Sequence, residues 1–347
     1  MAKRARSCKT TDLLARRRDV VSRAAGGGPD RVSVRIGISG WRYAGWRGRF
    51  YSNGLRQADE LAYAAQRFST IEINGTFYSL QRPELFAAWA DAVPEDFVFA
   101  LKGSRFITHM LKLNRVATPL ANFFAQGVLR LGRKLGPILW QLPPTFRFQP
   151  EKLAAFFDLL PRDTEAAAAL ARRHDGRLKA RAFLKAAAPR KIRHALEVRH
   201  ESFAVPEFVG LLKAHDIALV VSDMPDLPAL FDVTSDFVYC RLHGSTVLYT
   251  SGYRADELSV WAKRLQSWAA GGEVKEATRL SASHPRRRSR DVFVYFDNDA
   301  KVRAPFDALS LIERLERSTS PPARRPTPRG HIRAPDGPSR TGPSAPR

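Results

Sequence analysis

Cysteine is almost missing from this sequence, whose 347 residues contain two, Cys8 and Cys240. A disulfide framework or a Cys-rich zinc site needs more cysteines than this, so both classes are excluded. No apolar run reaches the roughly 18 residues that a membrane-spanning helix needs, and the N-terminal segment has no apolar stretch typical of a secretory signal. These absences favour a cytoplasmic protein without a membrane span.

Acidic residues are also scarce, with 34 Asp and Glu against 57 Lys and Arg, and the formal net charge is +23. A charge of this size is typical of nucleic-acid-binding proteins. Its distribution argues against that interpretation, because the excess lies in both termini and in two internal segments, 162–193 and 271–290. The rest of the chain is close to neutral. We therefore expect a neutral domain that carries two basic insertions.

The composition divides the chain into three parts. Residues 1–31 are basic, and residues 318–347 are rich in Pro, Arg, Ser and Gly without apolar periodicity, so we expect both to be disordered arms. Residues 32–317 form one domain, since hydrophobic residues at 44% are sufficient for a core. The basic arms are compatible with weak, nonspecific binding to nucleic acid.

Short apolar runs alternate with longer helical stretches throughout this domain. Such alternation favours parallel strands joined by right-handed crossovers. The GxGxxG and GxxxxGK[ST] motifs of open nucleotide-binding sheets are absent, and the sequence specifies no cofactor. We therefore predict an α/β fold, a single (β/α)8 TIM barrel. The predicted strands are 34–39, 70–73, 97–102, 138–142, 194–199, 217–223, 237–243 and 292–298, and the predicted helices are 57–68, 83–92, 118–134, 150–160, 206–214, 255–269 and 304–316.

Polar and aromatic residues cluster where the predicted strands end. In a TIM barrel these ends form the C-terminal mouth, where active sites lie. Because side chains alternate along a strand, Arg241 and His243 share one face. Charged side chains within apolar strands are costly unless they are paired. We therefore expect an ion pair inside the mouth, either Glu197 with Arg241 or Glu72 with Arg199.

Paired carboxylates suit general acid–base chemistry on a sugar-like substrate. Glu72 and Glu197 are the catalytic candidates, and the alternative for both is a structural role as buried ion-pair partners. His109 and His243 are catalytic candidates as proton shuttles. Together with the carboxylates, histidines at the mouth suit a divalent metal, but no HxxH, HxH or HExxH spacing supports one. We predict no metal site.

The candidates for substrate binding follow the same strand ends. Arginine matches phosphate through its planar fork, and a lysine adds positive charge. Aromatic loop residues stack on sugars or nucleobases, or else pack over the mouth. The predicted binding set comprises Trp41, Tyr43, Asn74, Phe77, Tyr78, Lys102, Gln141, Arg199, His200, Asp223, Arg241 and Asn298.

Eight separated segments of the chain resemble, in order, the YecE-like family, catalogued as domain of unknown function 72. The resemblance spans residues 34 to 316 and implies a TIM barrel without an established reaction. The family more often has Asn at the position of Asp297. The segments are IGISGWRYAGWRGRFY (36–51), EINGTFYSLQRP (72–83), KGSRFITH (102–109), WQLPPTF (140–146), ALEVRHESF (195–203), YCRLHG (239–244), YTSGY with EL (249–258) and VYFDND (294–299).

Together these features predict an enzyme, a hydrolase or an isomerase, that acts at the barrel mouth. The predicted substrate is a sugar-like or phosphate-bearing small molecule, with a phosphodiester as one version. Two alternatives stay open. One is a non-catalytic barrel that binds a small ligand, and the other is association with nucleic acid through the basic tails.

Overall fold

The computed structural model of the chain describes residues 34–319, apart from positions 180, 226, 228, 275–277 and 282–286. Eight parallel strands form a closed barrel in chain order, in which the last strand pairs with the first. The predicted TIM barrel is confirmed, whereas the predicted arms lie almost wholly outside the described residues. The strands are β1 Val34–Ser39, β2 Thr70–Ile73, β3 Val98–Lys102, β4 Leu135–Gln141, β5 His194–Glu197, β6 Ile217–Ser222, β7 Phe237–Leu242 and β8 Asp291–Phe296.

Helices cover the outside of the barrel. Three of them begin with Pro, which fixes the backbone in a helical conformation where no N–H is needed. Within the described part of the chain, no helix is both long enough and apolar enough to cross a membrane. The helices are α1 Glu60–Ala65, α2 Gly75–Tyr78, α3 Pro83–Asp91, α4 Ala117–Ala125, α5 Pro150–Asp158, α6 Thr164–Ala171, α7 Pro206–Ala214, α8 Ala255–Ala269 and α9 Ala304–Thr319.

The helix predicted over 118–134 is interrupted. Helix α4 ends at Ala125, and Gly127 adopts a positive φ of 117°, which L-residues with a side chain rarely take. A Cβ at Gly127 would lie 2.6 Å from Cα of Pro83, so only glycine fits this approach to α3. The chain then continues as 3-10 turns into β4. The apolar pattern predicted the burial of this segment but not the break.

Alternation along the strands separates two apolar layers. Outward-facing residues such as Ile36, Ile71 and Trp140 pack against the helices in one large core. Inward-facing residues fill the barrel itself. That inner core comprises Ala100, Leu139, Ala195, Ala218, Val220, Phe237, Tyr239, Phe293 and Tyr295.

At the C-terminal end of the barrel the inward-facing positions change from apolar to polar. Each of these residues except Ser39 follows an inner-core position by two residues or lies beside one in the strand register. Ser39 is opposite Glu72, Gln141 is opposite Glu197, and Ser222 is opposite Arg241. We call this set the mouth ring, and it comprises Ser39, Glu72, Lys102, Gln141, Glu197, Ser222, Arg241 and Asp297.

Part of the basic insertions lies at the opposite end of the barrel. Lys191, in the insertion 162–193, donates to Asp216 at 2.8 Å and to Asp236 at 2.9 Å. Both carboxylates come directly before a strand, β6 and β7, and therefore mark the N-terminal face. The insertion 271–290 leads directly into β8. Arg177 of the first insertion instead lies 5.1 Å from the ring centroid of Phe106, in the segment that follows β3, so the basic charge is not confined to the N-terminal face.

Gly37 provides a test of the barrel packing. A Cβ at this position in β1 would lie 1.8 Å from the backbone oxygen of Thr70. We expect Gly37→Ala to lower the free energy of unfolding by about 2–3 kcal/mol, because the backbones of β1 and β2 must separate. Chemical denaturation measures this loss.

The matched control is Gly210→Ala in α7, where an added Cβ has no neighbour within 4 Å. We expect this change to be neutral or to stabilise the protein by up to about 1 kcal/mol, since Ala is the better helix former. Equal losses in the two variants would contradict the close approach of β1 and β2.

Candidate functional site

Arg241 lies at the centre of the mouth ring and is fully buried. Its Nε donates to Glu72 at 3.2 Å, and its Nη1 donates to Glu197 at 2.8 Å. Its Nη2 donates to Asp297 at 2.8 Å and lies 3.0 Å from both Ser39 Oγ and Glu72 Oε1. One guanidinium therefore connects three carboxylates that come from β2, β5 and the end of β8.

Glu72 and Glu197 are also fully buried. Glu72 accepts hydrogen bonds from Ser39 Oγ at 2.5 Å and from Tyr239 Oη at 2.6 Å, in addition to its ion pair with Arg241. Glu197 accepts from Arg199 Nε at 2.7 Å and pairs with Arg241. The expected pair of Glu197 with Arg241 is present, but Glu72 pairs with Arg241 instead of Arg199. All four carboxylate oxygens contact protein groups, and the predicted acid–base roles of Glu72 and Glu197 stay predictions.

The charges of this cluster reinforce one another. Burial would raise the pKa of Glu197, but Arg199 and Arg241 hold it well below its usual range. Burial would likewise lower the pKa of Arg241, but Asp297 and Glu72 raise it well above the usual value. Asp297 follows the same logic: burial opposes its ionisation, and the nearby Arg241 lowers its pKa. Glu197, Arg241 and Asp297 therefore keep their charges at neutral pH.

His243 extends the cluster beyond the end of β7. Arg241 Nη1 donates to His243 Nε2 at 3.2 Å. Because a guanidinium only donates, Nε2 accepts and Nδ1 carries the hydrogen, which points to Ser222 Oγ at 3.2 Å. With this contact, every N–H of Arg241 has an acceptor in the protein. Direct binding of an anion by Arg241, as predicted, would require the cluster to open and stays a prediction.

Two aspartates near the end of β8 have opposite pKa shifts. The side chain of Asp297 is 15% exposed and contacts Arg241 through Oδ2. Burial, together with the charge of Asp297, raises the pKa of Asp299 to about 6. One carboxylate is thus held ionised while its neighbour binds a proton readily, which is a typical division between a base and an acid.

Lys102 is the charged member of the mouth ring with the fewest polar contacts. Its side chain is 9% exposed, and its Nζ lies 4.4 Å from the ring centroid of Phe77. The ring of His109 packs edge-on against Phe77 at 5.1 Å. Burial and the charge of Arg241 lower the pKa of Lys102 to about 8. Burial and Lys102 lower the pKa of His109 to about 4, so its imidazole is neutral at physiological pH.

Two amide side chains at the mouth have unmet hydrogen-bonding capacity. Gln141 is 5% exposed, and its Oε1 has no hydrogen-bond donor among the residues that the structure describes. Asn74 donates to Ser39 Oγ at 3.1 Å, while its buried Oδ1 likewise has no donor in the described chain. Buried polar groups in native proteins are normally satisfied, so these two oxygens indicate positions for a donor from outside the chain.

The remaining predicted binding residues divide into loop contacts and rim positions. His200 Nδ1 accepts from the Ser202 backbone at 3.1 Å, and Asn298 donates to Asp307 at 2.8 Å. Trp41 is buried against the edge of Trp89 at 5.6 Å. These contacts hold the three side chains against neighbouring segments of the chain, and their binding roles stay predictions.

Tyr43, Tyr78 and Asp223 lie nearer the rim. Tyr43 donates to the Ser39 backbone oxygen at 2.6 Å, and Tyr78 is 68% exposed. Asp223 accepts from the His243 backbone N–H at 2.7 Å and from the Tyr253 hydroxyl. The structure therefore brings most of the predicted charged residues together, and most of the predicted aromatic residues lie at the rim or in the loops beside them.

Tyr249 belongs to the site although the sequence prediction did not include it. Its hydroxyl accepts from Arg199 Nη1 at 2.9 Å, and its backbone N–H donates to the His243 oxygen at 2.6 Å. Its φ of 60° is unusual for a bulky residue, and such strain is often found at functional sites. No local sequence signal marks this conformation. Tyr239, by contrast, shares the predicted inward face with Arg241, and that alternation is enough to find it.

Histidines and acidic residues meet at the mouth, but not in the arrangement of a metal site. Within the ranges that the structure describes, no group of three or more His, Cys, Asp or Glu residues has a spacing that would hold a metal ion. Basic nitrogens of Arg241 occupy the space between the carboxylates.

Fold and site together define a single TIM barrel whose mouth is built on a buried arginine–carboxylate cluster. The sequence profile of the family described as "Protein of unknown function DUF72" matches residues 35–331. The chain belongs to this family, as the resemblance of its eight segments predicted.

Known relatives agree with this assignment. The UPF0759 protein YecE of Escherichia coli strain K12 is 30% identical over 131 residues, which make up 37% of this chain and 44% of YecE. The match thus spans less than half the length of that relative. A DUF72 family protein from Thermotoga maritima MSB8 has a TM-score of 0.60 at 24% identity, covering 82% of this chain and 99% of that one. Another from Enterococcus faecalis V583 has a TM-score of 0.55 at 18% identity, covering 81% and 95%. These structures share the fold.

The Arg241 cluster makes a clear prediction for stability. Arg241→Ala leaves Glu72, Glu197 and Asp297 buried without their shared counter-charge. We expect the free energy of unfolding to fall by about 3–5 kcal/mol, as for other buried pairs that lose one partner. Urea denaturation at neutral pH measures the change.

The control is Arg56→Ala, which removes a surface ion pair with Asp59 in which the arginine side chain is 81% exposed. We expect a loss below about 1 kcal/mol. If Arg241→Ala cost no more than this control, the cluster would not be the closed, buried network described above.

Asp299 makes a prediction for pH dependence. A carboxyl group whose pKa is raised on folding, here to about 6, destabilises the folded state as pH rises through that value. We expect Asp299→Asn to stabilise the protein by about 1–2 kcal/mol near pH 8 and not at all near pH 4. Thermal unfolding at both pH values measures the difference. The same gain at both pH values would show that burial does not raise the pKa of Asp299.

Proposed function

We propose that this barrel is an enzyme that binds a small polyhydroxylated or phosphate-bearing substrate above the mouth ring. The observation that carries the proposal is the contrast within the ring. Its arginine and two glutamates are fully engaged with one another. Lys102 and Asp297 instead retain unused bonding capacity at the partly exposed surface, and the buried Oε1 of Gln141 has no donor among the described residues. A preformed charge cluster below a set of uncommitted polar groups is a suitable floor for a ligand site.

The uncommitted groups support the substrate class. The oxygens of Gln141 and Asn74 accept hydroxyl donors, which a sugar-like molecule supplies in several positions. Lys102 and the 11% exposed side chain of Arg199 favour a negatively charged substituent such as phosphate. A ligand with both features satisfies each of these residues.

Several observations support catalysis. Hydrolysis and isomerisation of sugar-like molecules both require a proton to be taken up and given back. Asp297, held ionised, suits the base, and Asp299, with its raised pKa, suits the acid. In this proposal Glu72 and Glu197 are positioning residues that act through Arg241, instead of the acid–base pair that the sequence predicts.

A non-catalytic ligand-binding barrel is the second candidate. The observation that favours it is the complete engagement of Glu72 and Glu197, which removes the two carboxylates that most resembled a hydrolytic pair. A barrel of this kind would bind the same sugar-like or phosphate-bearing ligands without turnover.

Ligand binding is tested with sugar phosphates, their parent sugars and a phosphodiester as probes. We expect at least one phosphorylated sugar to raise the thermal unfolding temperature of the wild type. Gln141→Leu should weaken that binding by about 3- to 10-fold, the value of one hydrogen bond. The control is Gln57→Leu, an exposed position outside the mouth ring, which should bind like the wild type.

Turnover of the same probe separates the two candidates. Turnover that Asp297→Asn abolishes, with binding retained, supports the enzyme. Binding without turnover of any probe supports the binding barrel. If no probe binds, or if Gln141→Leu and Gln57→Leu bind equally, the ligand site is not at the mouth ring.

A further inference from the structure

We propose that Lys102 is a nucleophilic lysine that forms an imine with the carbonyl group of an aldehyde or ketone bound at the mouth. The inference rests on the proposed function for the position of the ligand. It adds a chemical class: the substrate carries a carbonyl group together with hydroxyl or anionic groups.

The amine of Lys102 lies apart from other polar groups of the described chain. Lys102 projects inward from the last residue of β3, two positions after Ala100 of the inner core. Among the described residues its Nζ has neither a hydrogen-bond acceptor nor an ion-pair partner, and the contact that positions it is the face of Phe77 at 4.4 Å. An ammonium that is so little exposed and has no acceptor in the described protein is less well stabilised than one with acceptors, and this favours the neutral amine.

Lys134 is a buried lysine whose ammonium group is fully hydrogen-bonded, and it provides a comparison for Lys102. It is 7% exposed, and its Nζ donates to Ala90 O at 2.7 Å and Val93 O at 3.0 Å and also pairs with Glu95 at 3.3 Å. All three N–H donors of that ammonium are used. Lys102, buried to a similar extent, has no comparable arrangement.

Charged groups surround the Lys102 amine. The charge of Arg241 on β7 acts on Lys102, and His109 packs against Phe77 at 5.1 Å. Asp297, Glu72 and Glu197 oppose the effect of burial and Arg241, but they are already paired with arginines. The resulting pKa of Lys102, about 8, leaves a substantial fraction of neutral amine at physiological pH. Desolvation beside another cation is a known means of activating a lysine.

The chemistry balances without an oxidant or a reductant. The lone pair of neutral Nζ attacks the carbonyl carbon and forms a C–N bond, while the C=O π pair becomes an alkoxide. One proton moves from nitrogen to that oxygen and gives a carbinolamine. A second proton from nitrogen joins the oxygen as the C–O bond breaks, so that water leaves and a C=N bond remains. His109 and Asp297 are the nearby groups that suit these proton transfers.

The test is reductive trapping of the whole chain with named carbonyl probes. Glyceraldehyde 3-phosphate, glyceraldehyde and pyruvate are each incubated with the protein and sodium cyanoborohydride at about pH 7.5, and modified lysines are mapped by peptide mass spectrometry. We expect Lys102 to react at least about tenfold faster than the exposed Lys263 with at least one probe, because far more of an amine with a pKa near 8 is unprotonated. Lys134 should stay unmodified.

Two variants and a control complete the experiment. Lys102→Met and Lys102→Arg should each remove the fast adduct, and Lys263→Met should retain it; circular dichroism checks that each variant folds. The ratio of Lys102 to Lys263 modification in the wild type does not depend on any variant. If Lys102 reacts no faster than Lys263 with all probes, Lys102 is a counter-charge for the carboxylates and the inference is wrong.

This failure is distinct from failure of the proposed function. Stabilisation by a phosphorylated sugar that depends on Gln141, without an adduct on Lys102, would leave the ligand site intact and remove only the imine. A fast adduct on Lys102 supports both.

Discussion

The buried contact between Arg241 and three carboxylates is the interaction on which the mouth of this barrel depends. Burying any one of these charges alone would cost several kcal/mol, and the cost is offset only because the oxygens of Glu72 and Glu197, Oδ2 of Asp297 and each guanidinium N–H have partners. The cluster links β2, β5, β7 and the end of β8, which are far apart in sequence. It therefore fixes the geometry of the mouth while Arg241, Glu72 and Glu197 are withdrawn from contact with a ligand. The groups left over are the ones that we assign to function.

This arrangement also changes the meaning of the net charge. The excess of +23 is a property of the whole sequence, and the described basic residues of the insertions include Lys191 at the N-terminal face and Arg177 over Phe106 after β3. At the mouth, three carboxylates are matched in number by Arg241, Arg199 and Lys102. Positive and negative groups there are balanced, so the proposed ligand site depends on which of them keep free bonding capacity. Lys102 is positive but uncommitted, and Asp297 is negative and partly exposed.

The sequence predicted the barrel well because hydrophobic alternation and strand–helix order are local signals that the closed fold satisfies at every strand. It also predicted that Glu197 and Arg241 meet, since charges within apolar strands require partners. The partner of Glu72 could not be derived, because it depends on the shear of the barrel and not on spacing along the chain. Two other features also depend on contacts between distant or turn-forming residues. The helix breaks at Gly127 because α3 packs closely against that position, and the conformation of Tyr249 accompanies a backbone hydrogen bond to His243. Membership in the DUF72 family accounts for the fold. The chemical properties of the mouth depend on individual side-chain contacts of this kind.

The N–H groups of Arg241 are all engaged within the cluster, whereas the amine of Lys102 has no hydrogen-bond acceptor among the described residues. The most direct measurement is an NMR titration of the Lys102 side chain, with carbon and nitrogen labels in lysine and Lys102→Arg for assignment. We expect a midpoint of about 8, well below that of the exposed lysines. A midpoint near the ordinary lysine value of about 10.4 would contradict it, because Lys102 would then be an ion-pair partner of the carboxylates like the two arginines.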